Sequence, residues 1–153
     1  MNTAERFRKA RADASMELAA DYLELIEDLI SECGEARATD LAARMGVSHV
    51  TISKALQRLA RDGFVTYRPY RSIFLTDAGR QIAKSAREKH VSMLSFLVAI
   101  GVPPDIAEQD AEGMEHHISP ETLHSINEFL RGLAQLGLRT DATNGETLKL
   151  PQN

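Results

Sequence analysis

Two short helical patterns lie next to each other in the segment 37–63, and this pair constrains the fold more than any other feature. Thr39 is expected to cap the first pattern (40–45), and Ser48 is expected to cap the second (49–61). A glycine follows each pattern, as is common where a helix ends. A turn of about four residues that contains a glycine joins the two patterns, which is the spacing of a helix-turn-helix.

The segments on either side of this pair complete the expected architecture. Residues 64–76 alternate between apolar and polar side chains around a proline-containing tip, which predicts a two-stranded β-hairpin. Elsewhere apolar residues recur at helical spacing, with Leu18 on the apolar side of the first pattern and Val91 on the apolar side of the pattern after the hairpin. This spacing predicts one long helix before the pair and three after the hairpin: 4–32, 77–100, 104–117 and 120–136. The fold class is therefore mainly α, with an N-terminal winged helix-turn-helix and its small two-stranded hairpin, followed by an all-helical lobe. The expected domains are 1–76, 77–136 and a flexible polar tail, 137–153.

Composition narrows the class of protein further. With 43% hydrophobic and 26% charged residues over 153 residues, the chain has the balance of a soluble globular protein. No apolar run approaches the roughly 18 residues of a membrane span, and no apolar stretch follows the N-terminal charges as in a secretory signal. The single cysteine, Cys33, excludes an internal disulfide and a cysteine-rich zinc site. We therefore expect a cytoplasmic protein with no membrane partner.

The net charge of −4 argues against a nucleic-acid binder, but the charges are segregated along the chain. The segment 37–71 contains seven Arg or Lys residues and two acids, whereas 105–128 contains seven acids and neither Lys nor Arg. The first segment is therefore suited to attract phosphate, and the second is suited to attract cations.

The second helix of the pair has one apolar and one polar face. Seven apolar residues are expected to pack the two helices together: Leu41, Ala42, Val47, Val50, Ile52, Leu56 and Leu59. Because the N-terminal part of a recognition helix reaches base edges in the major groove, the predicted base contacts are Ser48, His49, Thr51 and Ser53. Predicted phosphate contacts follow on the helix and at the hairpin tip: Lys54, Arg58, Arg61, Arg68 and Arg71. The alternative is a winged helix that serves only protein contacts.

Acids and histidines with the spacing of metal ligands occur in three separate segments. Glu112, Glu115 and His116 stand at i, i+3 and i+4, so that a helix places them on one face. Asp21 and Glu24 stand at i and i+3 on the first helix, and a sixth candidate, His90, lies on the long helix after the hairpin. If the three helices pack together, these side chains converge on one or two Mn²⁺ or Fe²⁺ ions, and on Zn²⁺ less specifically. The alternative is a set of solvated helix faces and an ordinary histidine.

Five segments resemble the diphtheria-toxin-repressor family, and in particular its manganese-responsive branch. They are DYLELI (21–26), GEARATDLAARMGVS (34–48), TISKALQRLARDG (51–63), YRPYRSIFLT (67–76) and DAEGMEHHIS (110–119). The iron-sensing branch has Met where this chain has Asp21 and Cys where it has Glu112, so both positions favour the harder cation.

The resemblance implies a metal-dependent transcriptional repressor that controls metal-transport genes. It implies a homodimer that binds a double-stranded DNA operator, with Mn²⁺ as the corepressor that orders the dimer and Fe²⁺ as the alternative. It also implies that the domain over 77–136 binds metal and dimerises, and that the ligands are Asp21, Glu24, His90, Glu112, Glu115 and His116. We expect no enzymatic activity.

Two rival functions remain from the residues themselves. A metal-dependent hydrolase is one, because such ligands can activate water, but the chain offers no separate nucleophile or general base and its DNA-reading segment is left unexplained. A winged-helix regulator with an organic effector is the other.

Overall fold

The structure is a computed structural model that describes residues 2–137, so the predicted polar tail lies outside the described residues apart from Gly137. Its elements in chain order are α1 (Thr3–Cys33), α2 (Ala38–Met45), α3 (His49–Arg61), β1 (Val65–Thr66), β2 (Phe74–Leu75), α4 (Asp77–Ala99), α5 (Pro104–Met114) and α6 (Pro120–Gln135). The predicted fold class, mainly α with one small hairpin, is confirmed. None of the described helices is both long and apolar enough to cross a bilayer.

The chain divides into two compact units, Met1–Ala86 and Arg87–Asn153. The division falls inside α4, while the domain boundary expected after residue 76 stays a prediction. The first unit contains the helix-turn-helix and the hairpin. Its core is closed by fully buried side chains from α1, α2, α3 and the hairpin, among them Leu23, Ile26, Leu41, Ile52, Leu56 and Ile73.

One of the two predicted helix caps is correct. Ser48 caps α3, since its hydroxyl accepts a hydrogen bond from the Thr51 backbone N–H at 3.2 Å, an interaction worth about 1 kcal/mol. Thr39 as the cap of α2 is wrong, because the helix begins at Ala38 and its N-cap, Arg37, offers no capping side chain. Gly46 ends α2 with a left-handed backbone (φ 65°).

The sequence pattern overestimated the core at four apolar positions. Leu18 on α1 and Val50 on α3 are 49% and 63% exposed, and Val47 in the turn is 36% exposed. Val91 on α4, which the periodicity placed on the apolar side, is 55% exposed. An apolar residue at helical spacing indicates a buried face only when a neighbouring element covers it, and here none of these four is covered within its own unit.

The hairpin is attached to the start of α4. Its two strands pair antiparallel with Val65 opposite Leu75. The Thr76 hydroxyl donates to the Gly63 carbonyl at 2.7 Å and accepts from the Gly79 N–H at 3.1 Å. A Cβ at Gly79 would lie 2.1 Å from the Phe64 carbonyl oxygen, so only glycine fits there.

The second unit has a small core of its own. Met93, Leu97 and Val98 of α4 pack with Ala107 and Ala111 of α5 and with Ile126 of α6. The rings of Phe96 and Phe129 add an edge-to-face contact, with centroids 5.7 Å apart.

The helix expected over 104–117 ends earlier, at Met114. Residues 115–117 form a turn. Ile118 is partly buried and packs against the core of this unit, and Ser119 is extended (ψ 156°) and caps α6. The chain must therefore leave the helical path before these two residues.

Candidate metal centre and nucleic-acid interface

The second unit holds a buried carboxylate against a histidine ring. Glu115, at the C-cap of α5, is only 5% exposed. Its Oε2 lies 2.6 Å from Nδ1 of His90, which α4 contributes. A buried ionised carboxylate is costly unless it is paired and hydrogen-bonded. The His90 ring provides that pairing for Glu115.

Burial raises the pKa of Glu115, and the nearby negative charge of Glu112 raises it further. The hydrogen bond and positive charge of His90, with a smaller effect of His116, oppose the rise without cancelling it. The pKa of Glu115 therefore stays above its usual value. A divalent cation would favour the ionised carboxylate and remove this penalty.

The pKa of His90 is also raised above its usual value. Burial alone lowers the pKa of the ring, but hydrogen bonds and charges from Glu115 and then Glu108 outweigh that effect. The neighbouring carboxylates thus favour the doubly protonated ring over the neutral one. An ion that binds through a ring nitrogen must displace one of the two protons.

Three of the predicted ligands meet in one group. Each of His90, Glu112 and Glu115 offers one ligand atom, and these three atoms lie within 4.8 Å of one another. His116 is close, with its Nε2 3.8 Å from Glu115 Oε1. Glu115 keeps helical backbone angles at the C-cap of α5 (φ −58°, ψ −31°), so Glu112 and Glu115 lie on one side of the helix as expected. His116 departs from the expected helix face, because it follows in the turn.

The other two predicted ligands, Asp21 and Glu24, lie on α1 in the first unit and are half-buried. Both take part in interactions within the described chain. Their role as ligands stays a prediction.

Sequence reasoning missed Glu108. Its Oε1 lies 3.2 Å from Nε2 of His90, on the opposite edge of the ring from Glu115. A weak signal was available, since Glu108, Glu112 and Glu115 stand at i, i+4 and i+7, the spacing of one helix face.

This donor set suits a divalent cation. Carboxylate oxygens and one or two imidazole nitrogens, without thiolate, favour Mn²⁺ or Fe²⁺ over softer metal sites. Glu112 is 69% exposed along its side chain and His90 only 20%, so one ligand is accessible to solvent while others are fixed in the unit. The residues present therefore fit a metal ion, which His90, Glu112, Glu115 and His116 could hold.

The first unit presents a polar helix face. Exposed side chains on α3 include His49, Thr51, Lys54, Arg58 and Arg61, while Ser53 is half-buried. Ser48 and Thr51 share a contact between their hydroxyl oxygens at 3.0 Å in addition to the helix cap. All the residues predicted for base and phosphate contact on this helix are therefore accessible except Ser53, which is only partly so.

The wing presents two arginines. Arg68 and Arg71 are exposed on a turn closed by the Arg71 N–H and the Arg68 carbonyl at 3.1 Å. Tyr70 between them has φ 62° and is fully exposed. A cavity between α3 and this tip is lined by His49, Ser53, Gln57, Tyr67, Pro69 and Arg71, among others.

Arg58 is engaged on the surface of the first unit. Its guanidinium donates to the Ser15 hydroxyl of α1 and lies 3.8 Å from Asp62. These exposed contacts hold the side chain weakly, so it remains available to a phosphate.

Val50, which the sequence pattern had placed between the two helices of the helix-turn-helix, lies on the surface that is predicted to contact DNA. It lies in the first turn of α3 and is 63% exposed, beside polar side chains predicted to contact DNA. Apolar side chains at such positions contact the methyl group of thymine in the major groove.

Both units match one protein family. Residues 15–73 match the family described as "Iron dependent repressor, N-terminal DNA binding domain". Residues 76–135 match "Iron dependent repressor, metal binding and dimerisation domain". The chain belongs to the iron-dependent repressor family. Membership confirms the resemblance to the diphtheria-toxin repressors, and it assigns the helix-turn-helix unit to DNA binding and the helical unit to metal binding and dimerisation.

Curated members of the iron-dependent repressor family are similar over most of the chain. The transcriptional regulator MntR of Salmonella typhimurium is 51% identical over 125 residues, which is 82% of this chain and 80% of that protein. The HTH-type transcriptional regulator MntR of Listeria monocytogenes serotype 4b is 37% identical over 111 residues, covering 72% of this chain and 78% of the relative. These relatives are transcriptional regulators, which confirms the expectation that the chain is not an enzyme.

Solved structures of the family share the fold. A manganese-dependent transcriptional repressor in complex with manganese is 28% identical with a TM-score of 0.63, over 87% of this chain and 63% of that one. The manganese regulator SloR is 25% identical with a TM-score of 0.63, over 74% of this chain and 53% of that one. The chain thus spans between about half and two thirds of the length of these two structures.

Proposed function

We propose that this chain is a manganese-responsive repressor that binds operator DNA as a homodimer and controls metal-transport genes, with Mn²⁺ as its corepressor. The observation that carries the proposal is the group formed by His90, Glu112 and Glu115, whose ligand atoms lie within 4.8 Å of one another. Oxygen and imidazole donors without thiolate are the set that suits Mn²⁺. The similar repressor solved with manganese supports the same metal.

His90, Glu112, Glu115 and His116 would hold the ion in the second unit. Asp21 and Glu24 are included as further ligands on the strength of the sequence, and six ligands are enough for one or two ions per subunit. When bound, Mn²⁺ supplies positive charge to a segment, 105–128, whose acids have no Lys or Arg among them. The ion thus stabilises ionised carboxylates that repel one another without it.

DNA is recognised by α3 and the wing. Ser48, His49, Thr51 and Ser53 are proposed for base edges, while Lys54, Arg58, Arg61, Arg68 and Arg71 are proposed for phosphates. A dimer that binds two half-sites must place its two recognition helices about 34 Å apart, one turn of DNA. Mn²⁺ acts by favouring the arrangements of the dimer that meet this spacing, as a population shift, and makes no contact with DNA.

The specific alternative is Fe²⁺, which the description of the family itself names. The two ions prefer similar ligands and geometry, so the ligand set alone does not separate them. Parallel titrations with Mn²⁺ and, without oxygen, with Fe²⁺ compare the two directly.

The test starts from a duplex selected from a random-sequence library by the wild-type protein with Mn²⁺. Binding of that duplex is then measured by fluorescence anisotropy with Mn²⁺, with Mg²⁺ and with chelator, for the wild type, His90→Ala, Asp21→Ala and a surface control, Glu121→Gln. We expect Mn²⁺ to strengthen binding by the wild type and the control, and to do so much less in the two ligand variants. Equal binding with Mn²⁺ and with chelator in the wild type would refute the proposed function.

A further inference from the structure

His90 makes hydrogen bonds at both edges of its ring. Nδ1 lies 2.6 Å from Glu115 and 3.8 Å from Glu112, and these three residues form the candidate metal-binding group. Nε2 lies 3.2 Å from Oε1 of Glu108, which is not a member of that group. The ring therefore has one nitrogen directed to the group and one directed to Glu108.

The two nitrogens must differ in protonation once the ion is bound. A metal takes the nitrogen without a proton, and the other nitrogen keeps its N–H, which in metal sites is usually donated to a carboxylate, a carbonyl or water. Since Nδ1 faces Glu112 and Glu115, Nδ1 is the ligand atom. Nε2 then carries the proton, and Glu108 is the acceptor that the structure provides for it.

We propose that Glu108 is a positioning residue of the metal centre: its carboxylate accepts the Nε2–H of His90 and holds Nδ1 toward Glu112 and Glu115. The inference rests on the proposed function, because it requires an ion at Nδ1. Glu108 is not itself a ligand in this arrangement, since its carboxylate is bonded at the far edge of the ring. Loss of such an acceptor typically lowers metal affinity by about 10–100-fold. Because the Glu108 side chain is 60% exposed, we expect the lower end of that range.

Three variants distinguish a positioning role of Glu108 from a general effect of its negative charge. Glu108→Ala removes the acceptor, whereas Glu108→Gln removes the charge but keeps a carbonyl oxygen that can accept the same hydrogen bond. Asp110→Asn is the matched control, because it removes one exposed charge from the same helix about 200° around from Glu108. Both positions are at the surface, and circular dichroism verifies that α5 is retained.

The affinity for Mn²⁺ is measured by titration with detection of free Mn²⁺ by electron paramagnetic resonance. We expect Glu108→Ala to weaken binding about tenfold and Glu108→Gln about threefold or less, since a neutral acceptor is weaker than a charged one. Asp110→Asn should bind like the wild type. If Glu108→Ala binds Mn²⁺ as tightly as Asp110→Asn, or if Glu108→Gln loses as much as Glu108→Ala, the positioning role is refuted.

A second readout follows the proton itself. In the protein loaded with diamagnetic Zn²⁺, ¹H–¹⁵N spectra should show a slowly exchanging Nε2–H of His90 in the wild type and in Glu108→Gln. In Glu108→Ala this signal should disappear, because the proton exchanges rapidly with water. A signal that persists in Glu108→Ala contradicts the proposal. A wild type that binds no Mn²⁺ overturns the proposed function and this inference together, whereas a wild type that binds Mn²⁺ beside an unaffected Glu108→Ala overturns only the role of Glu108.

Discussion

Substitution of Glu115 by glutamine should separate metal binding from stability, because it should weaken the binding of Mn²⁺ without destabilising the metal-free protein. The side chain is buried, and its pKa is raised mainly by burial, so the ionised form is disfavoured in the folded state. For an acid with a raised folded pKa, ionisation at neutral pH destabilises the fold, and that cost grows as the pH rises above the unfolded pKa. A neutral group of the same shape avoids this cost but also removes an anionic ligand.

The magnitude follows from mass action. Mn²⁺ at a free concentration 100-fold above its Kd stabilises the folded protein by about 2.7 kcal/mol. For a chain of 153 residues, that corresponds to a rise in Tm of about 5–11 °C. In Glu115→Gln we expect this rise to fall below about 2 °C, which corresponds to less than about 1 kcal/mol of ligand stabilisation. The metal-free Tm should equal or exceed that of the wild type.

The assay is calorimetry on the metal-free protein and on the protein with Mn²⁺, for the wild type and Glu115→Gln. Glu121→Gln, an identical substitution at an exposed position in the first turn of α6, is the control and should keep the full rise. A Glu115→Gln variant whose metal-free Tm falls while its response to Mn²⁺ is unchanged would exclude Glu115 as a ligand. Such a result would make Glu115 a structural residue.

Three further predictions follow from the same structure. Binding of Mn²⁺ displaces a proton from His90, whose pKa is raised. The affinity for Mn²⁺ should therefore increase as the pH rises through that pKa, which titrations from pH 6 to pH 8.5 check. An affinity that does not depend on pH would contradict this prediction. Arg58→Ala should weaken binding to all duplexes and reduce the slope of log K against log salt by about one, and an unchanged slope would remove Arg58 from the phosphate contacts. Val50→Ala should reduce the preference for thymine over uracil at one position of the selected duplex, since only thymine has the methyl group, and an unchanged preference would exclude that contact.

The helix-turn-helix was predictable because its signals are local. Ser48 caps α3 through a bond to a residue only three positions away, and Gly46 ends α2 through its own backbone angle. The position of Val50 was not predictable, because helical spacing identifies a face but not whether another element covers it. The same pattern that buries Ile52 leaves Val50 in solvent.

The candidate metal centre was predictable only in part. The spacing of Glu112, Glu115 and His116 indicated these residues, whose role as ligands stays a prediction, but the end of α5 at Met114 depends on tertiary contacts that the spacing does not contain. Glu108 was missed for a similar reason, since its contact with His90 joins two helices across 18 positions of the chain. Only packing of α4 against α5 brings these side chains together.

The position of the bound ion can be measured by anomalous scattering at the manganese absorption edge from crystals of the wild-type protein soaked in Mn²⁺. We expect an anomalous peak within coordination distance of His90 Nδ1 and of the carboxylates of Glu112 and Glu115. Peaks found only at other residues, or none at a concentration of Mn²⁺ that saturates DNA binding, would contradict this expectation.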